Sequence, residues 1–300
     1  MSRLTAAPFR LLGAIAVVAF VLAVLAVITP AAMQQYPQYS PRAGIDCGPR
    51  VVFQFGAPTI VPSSCSGLAD VYHTDLAGLV VDSMFRSLAL LVGAAVLALV
   101  VGTLIGAAIA LMRHRAFAGG AAVGAMSLIA AIPSFFIAYF LQIAVIVVGA
   151  NAQGGRLLPV FGFGYDGHIV LPLIAISLPA ITSTAQLVAT RMQDVLDSDF
   201  VTTANAKGLA TSWILLVHVL PHVRPVALEA LGSGLRVSVA SLPVIEYLFN
   251  WRGSGQLAIE AIGVHDAAAF VASAVLLVSL FAILGVIADL SRPRALYRPA

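Results

Sequence analysis

The sequence predicts an all-α, polytopic membrane protein with about six transmembrane helices, and three observations carry that prediction. Apolar residues make up 60% of the 300, charged residues only 10%, and the mean hydropathy is +1.00. A water-facing surface needs roughly 25% charged residues. Six separate apolar stretches approach or exceed the roughly 20 residues that cross a bilayer core, where a helix satisfies its own backbone. The cations are also distributed unevenly between alternate connections, the pattern that sets membrane orientation. A formal charge of +3 is too small and too dispersed to suggest a nucleic-acid partner.

The first apolar run extends from Phe9 to Pro30 behind Arg3 and Arg10. A signal peptide would look similar, but the run is about 20 residues long and AAMQQYPQYS offers only a weak cleavage site. Residues 1–30 are therefore read as a retained helix. Residues 31–80 form an extracytoplasmic insert rich in Pro, Gly and Ser, which holds Cys47 and Cys65. In an oxidising compartment a disulfide across the intervening residues would restrict this loop; two free thiols are the alternative. Neither cysteine has the neighbouring His or carboxylate spacing of a zinc site.

Residues 81–290 are expected to form the main body, with spans near 86–112, 120–150, 168–190, 225–245 and 267–289. Gly102, Gly106, Pro133, Pro172, Pro179 and Gly232 fall inside these spans, as helices packed within protein allow. With six alternating spans, Arg3, Arg10, Arg113, Arg115, Arg191, Lys207, Arg224, Arg292, Arg294 and Arg298 share one side. Arg42, Arg50, Arg86, Arg156 and Arg252 lie toward the other. Both termini, including the tail 291–300, are accordingly expected in the cytoplasm. Arg236 falls inside the fifth span, where its charge needs a polar partner, a cavity, an interface or a snorkelling path. No internal duplication is visible, so two inverted halves gain no direct support.

The cytoplasmic connection 191–224 reads RMQDVLDSDFVTTANAKGLATSWILLVHVLPHVR. Asp194, Asp197 and Asp199 precede a helix-capable stretch that Gly208 interrupts. A second amphipathic run then begins at Thr211 or Ser212 and places Trp213, Leu216, Val217 and Leu220 on one face before Pro221. A helix, a turn and a helix can dock into a partner's groove; an interfacial hairpin that only joins two spans is the plainer reading.

The stretch FVTTANAKGLATSWILLVHVLPHVRP resembles the cytoplasmic loop of binding-protein-dependent, ATP-driven importer permeases of the dipeptide and oligopeptide family, through Thr203, Ala204, Ala206, Lys207, Gly208 and Leu209. Upstream, LPLIAISLPAITSTAQLVATRMQDVLDSDFV is similar to that family's fourth helix. Downstream, EYLFNWRGSGQLAIEAI resembles its Glu-x-x-Phe-x-x-x-Gly-x-Gly-x-Leu signature through Glu246, Phe249, Gly253, Gly255 and Leu257. IPSFFIAYFLQIAVI and GGRLLPVFGFG are most like the first, or B-type, permease subunit. The long Cys-containing insert and the ending SRPRALYRPA depart from the pattern.

The resemblance implies the fold of an ABC importer permease and alternating-access import of di- or oligopeptides. It implies four protein partners: a second homologous permease, two cytoplasmic ATPase subunits and an extracytoplasmic peptide-binding protein. Residues 201–209 would be the coupling helix, with Thr203, Ala204 and Gly208 as the first contacts. Glu246, Phe249, Arg252, Gly253 and Gly255 would form an external turn or gate; ordinary interfacial anchoring by Tyr247 and Trp251 is the alternative. No GxxxxGK[ST] pattern is present, and Gly253 to Gly255 is a bare GSG turn, so ATP and Mg are expected on the partner subunits and no cofactor on this chain. His218 and His222 stand four apart without a placed acidic third ligand, so no metal is expected; no catalytic constellation stands out either. Nickel chelates or glutathione are alternative cargoes. An ion-coupled secondary transporter and a scaffold without a translocation path are the competing classes.

Overall fold

The computed structural model describes residues 50–54, 57–61, 68, 76–112, 116–151, 158–264 and 266–291. The predicted first span, both cysteines and the C-terminal tail lie outside them. Strands β1 (Arg50–Gln54) and β2 (Ala57–Val61) pair antiparallel, Arg50 opposite Val61 and Gln54 opposite Ala57. The pairing falls in the insert, where VVF and TIV supply the β-branched and aromatic residues that suit a pleated surface. All other elements among the described residues are helical: α1 (Leu76–Leu111), α2 (Ala116–Ala131), α3 (Ser134–Asn151), α4 (Val170–Leu196), α5 (Asp199–Ala206), α6 (Thr211–Phe249), α7 (Ser254–Gly263) and α8 (Ala267–Ser291).

Among the described residues, four helical stretches are long and apolar enough to cross a membrane: α1, α4 with its leading turn, α6, and Ala267–Val286 of α8. The predicted span 120–150 is different. It is two helices, α2 and α3, bent by 95° about Pro133. Proline disfavours the helical conformation of the residue before it and has no N–H to continue the ladder. Two other boundaries differ from the sequence reading. Helix α1 begins at Leu76, about one membrane interface earlier than hydropathy suggests, because the turn carrying Asp82 and Arg86 is helical and holds them as an i,i+4 pair at 3.7 Å. Helix α6 does not stop at Pro221 but runs through it to Phe249, with a widened π segment at Ile214–Val219 just before the proline. Such insertions commonly accompany a missing i→i−4 bond.

The chain divides into two compact units. Of the described residues, those within 90–158, 169–241 and 283–291 form the second, and α4 is its central helix, packed by α1, α2 and α3. On α1, Leu90, Ala94, Ala98, Gly102, Gly106 and Ala110 recur every four residues and are all buried, while Val92, Val96, Val100 and Leu104 on the opposite face are exposed. Small residues on the buried stripe let two backbones approach closely, the main means of tight helix contact where lipid surrounds both helices. A side chain at Gly106 would meet the Ala185 carbonyl at 2.6 Å and Val188 at 2.8 Å. Helix α6 meets α4 through Ser238 Oγ, which donates to the Ile176 carbonyl (2.7 Å), and Ser183 Oγ, which donates to that of Ala230 (3.3 Å).

Of the described residues, those within 50–89, 159–168 and 242–282 form the first unit. Leu68, Leu76, Leu257, Ala261 and Ala269 form its apolar cluster. Asp266 ties it together by accepting from the Leu68 N–H (3.1 Å) and, as the cap of α8, from the Ala269 N–H (3.0 Å). Asp166 similarly starts the turn into α4. Its Oδ1 accepts from the His168 N–H and meets His168 Nδ1 at 2.6 Å, and the imidazole contact holds this exposed carboxyl below the usual carboxylate range.

Candidate functional site

The candidate coupling segment is built from α5, the turn after it and the start of α6. Residues 201 and 204 are three apart and so share a helix face. Val201 (2% exposed) and Ala204 (6%) are buried with Met192, Val195, Leu196, Ile214, Val219 and Val223. This cluster clamps α5 against the adjoining ends of α4 and α6. Ala204 therefore holds the segment in place and is unavailable as a surface contact. Thr203, Ala206, Lys207, Gly208 and Leu209 are exposed.

The stop of α5 follows from Gly208. Its φ is +73°, its N–H donates to the Asn205 carbonyl (2.9 Å), and the Leu209 N–H reaches back to that of Ala204 (3.3 Å). Those two bonds with a left-handed residue between them form a Schellman motif. A side chain built at Gly208 would meet nothing within 4 Å, so packing inside this chain does not restrict the position. Beside the turn, Trp213 is 57% and Leu216 64% exposed, with Phe200 and Val217 also open. The His222 ring packs at a tilt against Phe200, centroids 5.4 Å apart.

The second candidate, around Glu246, lies in the first unit. The Asn250 N–H donates to the Tyr247 carbonyl and the Trp251 N–H to that of Glu246 (2.9 Å), so α6 ends in the same motif, with Asn250 (φ +55°) in glycine's place. The chain then turns into α7, whose first N–H groups lack partners within the helix. Its N-cap, Gly253, has no side chain with which to accept them. Glu246, 0% exposed, supplies the acceptor: its Oε2 takes the N–H groups of Gly255 (2.7 Å) and Gln256 (3.2 Å), while Oε1 takes the Ser87 hydroxyl (2.6 Å). Ser87 Oγ in turn accepts from the Ser254 N–H (2.8 Å). The carboxyl occupies the space a side chain at position 253 would need. Phe249 is also fully buried. Glu246, Phe249, Gly253 and Gly255 thus form a closed, hydrogen-bonded joint, and Arg252 is the exposed member of the predicted set.

Trp251 locks the joint to α1. Its Nε1 donates to the Arg86 carbonyl (3.0 Å), its ring packs edge-on to Phe163 (5.0 Å), and the Arg86 guanidinium lies over that Phe163 ring (4.5 Å). Sequence reasoning placed Arg86 and Arg252 on one side of the membrane, and here Arg86 reaches the Arg252 carbonyl (3.5 Å). It missed Ser87, Phe163 and Gln256. Only Gln256, in the first turn of a helix after a glycine, carried a local signal.

Residues 98–297, two thirds of the chain, match the family model described as binding-protein-dependent transport system inner membrane component. A permease of Brucella ovis whose name assigns it to peptides is 25% identical over 228 residues, covering 73% of this chain and 70% of its own. The metal-staphylopine import system permease of Staphylococcus aureus is 28% identical over 208 residues, 69% of this chain and 64% of its own. The glutathione transport system permease of Salmonella typhimurium is 26% identical over 132 residues, 44% and 43% respectively. With buried small-residue packing in its spans and a family match over most of its helical body, the chain belongs to the family of binding-protein-dependent transport system inner membrane components, the permeases of ABC importers.

Proposed function

We propose that this chain is the first-type permease subunit of a peptide importer, moving di- or oligopeptides inward by alternating access while partner subunits hydrolyse ATP. The observation that carries the reading is α5. Its inner face is clamped to the ends of two membrane helices, its outer face exposes the small Thr203 and Ala206 beside Phe200 and polar neighbours, and the apolar Leu209, Trp213, Leu216 and Val217 stand open next to it. A lever that must transmit motion needs both features, a rigid seat and an open apolar surface for a partner. On this reading residues 197–213 lie in the cytoplasm, as the distribution of cations favours. The turn 250–253 lies outside, and Thr203, Ala206, Lys207, Gly208 and Leu209 meet an ATPase. This chain supplies no nucleotide site; ATP and Mg bind the two ATPase subunits. A second permease completes the pathway and an external receptor delivers peptide. Glutathione or a metal chelate is the alternative cargo, as two of the relatives are named for those substrates.

The direct test is gentle purification of the tagged chain from its own membrane, followed by mass spectrometry of co-purifying subunits. A second permease and ATPase subunits are the expected companions. Transport by the chain alone, driven by an ion gradient, would overturn the reading in favour of a secondary transporter.

Position 208 gives a finer test. Gly208→Val forces a β-branched residue into a left-handed conformation at a cost of roughly 1–2 kcal/mol and is expected to detach or uncouple the ATPases with membrane insertion intact. Gly208→Asn tolerates that conformation but adds a side chain to the docking face, and is expected to lose ATPase capture too. Normal coupling in Gly208→Asn would mean that Gly208 serves only to stop α5.

A further inference from the structure

Within the first unit, beside the Glu246 joint, a groove of about 230 Å³ opens between the start of α1 and α7. Asp82 and Arg86 border it from α1, Glu260 from α7 and Arg252 from the turn, above a floor that includes Leu79 and Leu257. Two cations and two anions thus line one small cavity over an apolar base. The fixed frame is already committed to internal bonds. Gln256 accepts from the Arg252 N–H (2.6 Å) and donates to Asn250 and Glu260 (2.7 Å each). Arg86 is held over Phe163 and only loosely by Asp82 at 3.7 Å.

Arg252 differs from the rest of this frame. Its φ is +57°, a conformation that glycine adopts without penalty and arginine does not. Helix termination accounts for the similar value at Asn250 but not for this one. Arg252 is exposed and lines the groove, and among the described residues its side chain makes no hydrogen bond or ion pair. A strained backbone that presents a planar, permanently charged fork at a small cavity suits recognition of a carboxylate.

We propose that this groove is a binding site for short zwitterionic peptides, with Arg252 and Arg86 taking the carboxylate and Asp82 and Glu260 the ammonium. The cavity is smaller than the roughly 300–1,000 Å³ typical of drug-sized ligands, which limits its occupant to something of dipeptide size or to the end of a longer chain. The proposal deepens the peptide-importer reading and rests on it. A zwitterionic lipid headgroup shares the pairing of an ammonium with an oxyanion, so the experiment separates the two.

Trp251 is the built-in reporter, since its indole N–H bonds to Arg86 and its ring touches Phe163. The chain has two tryptophans, so Trp213→Phe leaves Trp251 alone. The full chain in phosphatidylglycerol nanodiscs is titrated with Ala-Ala and with its N-acetylated, C-amidated counterpart. Saturable fluorescence change with Ala-Ala, weakened at least about tenfold by blocking both termini or by Arg252→Gln, is expected for paired charged recognition. Arg252→Gly gives the sharpest contrast: relief of the left-handed arginine should raise thermal stability while binding falls.

Equal response to the blocked dipeptide, or unchanged binding in Arg252→Gly, overturns the site. Suppression of the Ala-Ala response by phosphatidylethanolamine in the nanodisc also overturns it, assigning the groove to lipid. Receptor-dependent peptide uptake by the assembled complex is measured in parallel. Uptake without groove binding removes only this site, whereas groove binding without uptake removes the importer reading.

Discussion

Glu246→Ala is expected to unfold the joint between α6 and α7 and to lower stability by on the order of 4 kcal/mol. It leaves the N–H groups of Gly255 and Gln256 and the Ser87 hydroxyl without their acceptor and opens a cavity beside Gly253. Effects of that size are uncommon for one substitution and come from a short list of causes, of which orphaned buried groups are one. Glu246→Gln is the informative companion. It keeps the volume and one acceptor oxygen, so it should retain the two α7 bonds, disturb mainly the contact with Ser87 and cost far less. In the Trp213→Phe background, scanning fluorescence of Trp251, which is anchored in the joint by its bond to the Arg86 carbonyl, follows both variants. An unaltered melting transition in Glu246→Ala would show that the joint is not held by this carboxyl.

The second large effect is expected at Gly106, in the other unit. A Cβ added there would meet the Ala185 carbonyl and Val188, and a backbone carbonyl in a packed helix cannot swing aside. Gly106→Ala should therefore destabilise by about 1–3 kcal/mol through overpacking. Gly106→Leu should force α1 from α4 and prevent accumulation of monodisperse protein, as read by size-exclusion of the detergent-solubilised chain. A matched substitution on the outward face, Leu104→Ile, controls for general effects on insertion. If Gly106→Leu behaves as well as that control, the close contact does not hold α1 and α4 together.

How much of this was legible beforehand depended on the range of the interaction. Hydropathy placed the spans of α1, α4, α6 and α8 within a few turns, because lipid selects apolar side chains residue by residue. It read α2 and α3 as one span, since Pro133 breaks a helix by geometry while leaving the apolar run uninterrupted. It placed the second amphipathic run of the cytoplasmic connection before Pro221, where the structure continues through a π segment, because the choice between a stop and an adjustment is made by the surrounding packing. Gly208 was readable as a turn from its identity alone. Ala204, two positions from Ala206 and chemically identical to it, was not separable from it until the fold buried one and exposed the other.

The same division holds for the two sites. The amino-acid sequence by itself determined a multi-pass helical membrane protein, the position of its α5 segment, the helix stop at Gly208 and the family to which the chain belongs. All of these are encoded in composition, local conformation or short motifs. Only the tertiary structure decided that Glu246 caps α7, that Ser87 completes that cap from 159 residues away, and that Asp82, Arg86, Arg252 and Glu260 share one groove. Hydrogen bonds and charge pairs act over a few ångströms of space irrespective of distance along the chain, so a partner becomes identifiable only when the fold brings it within reach.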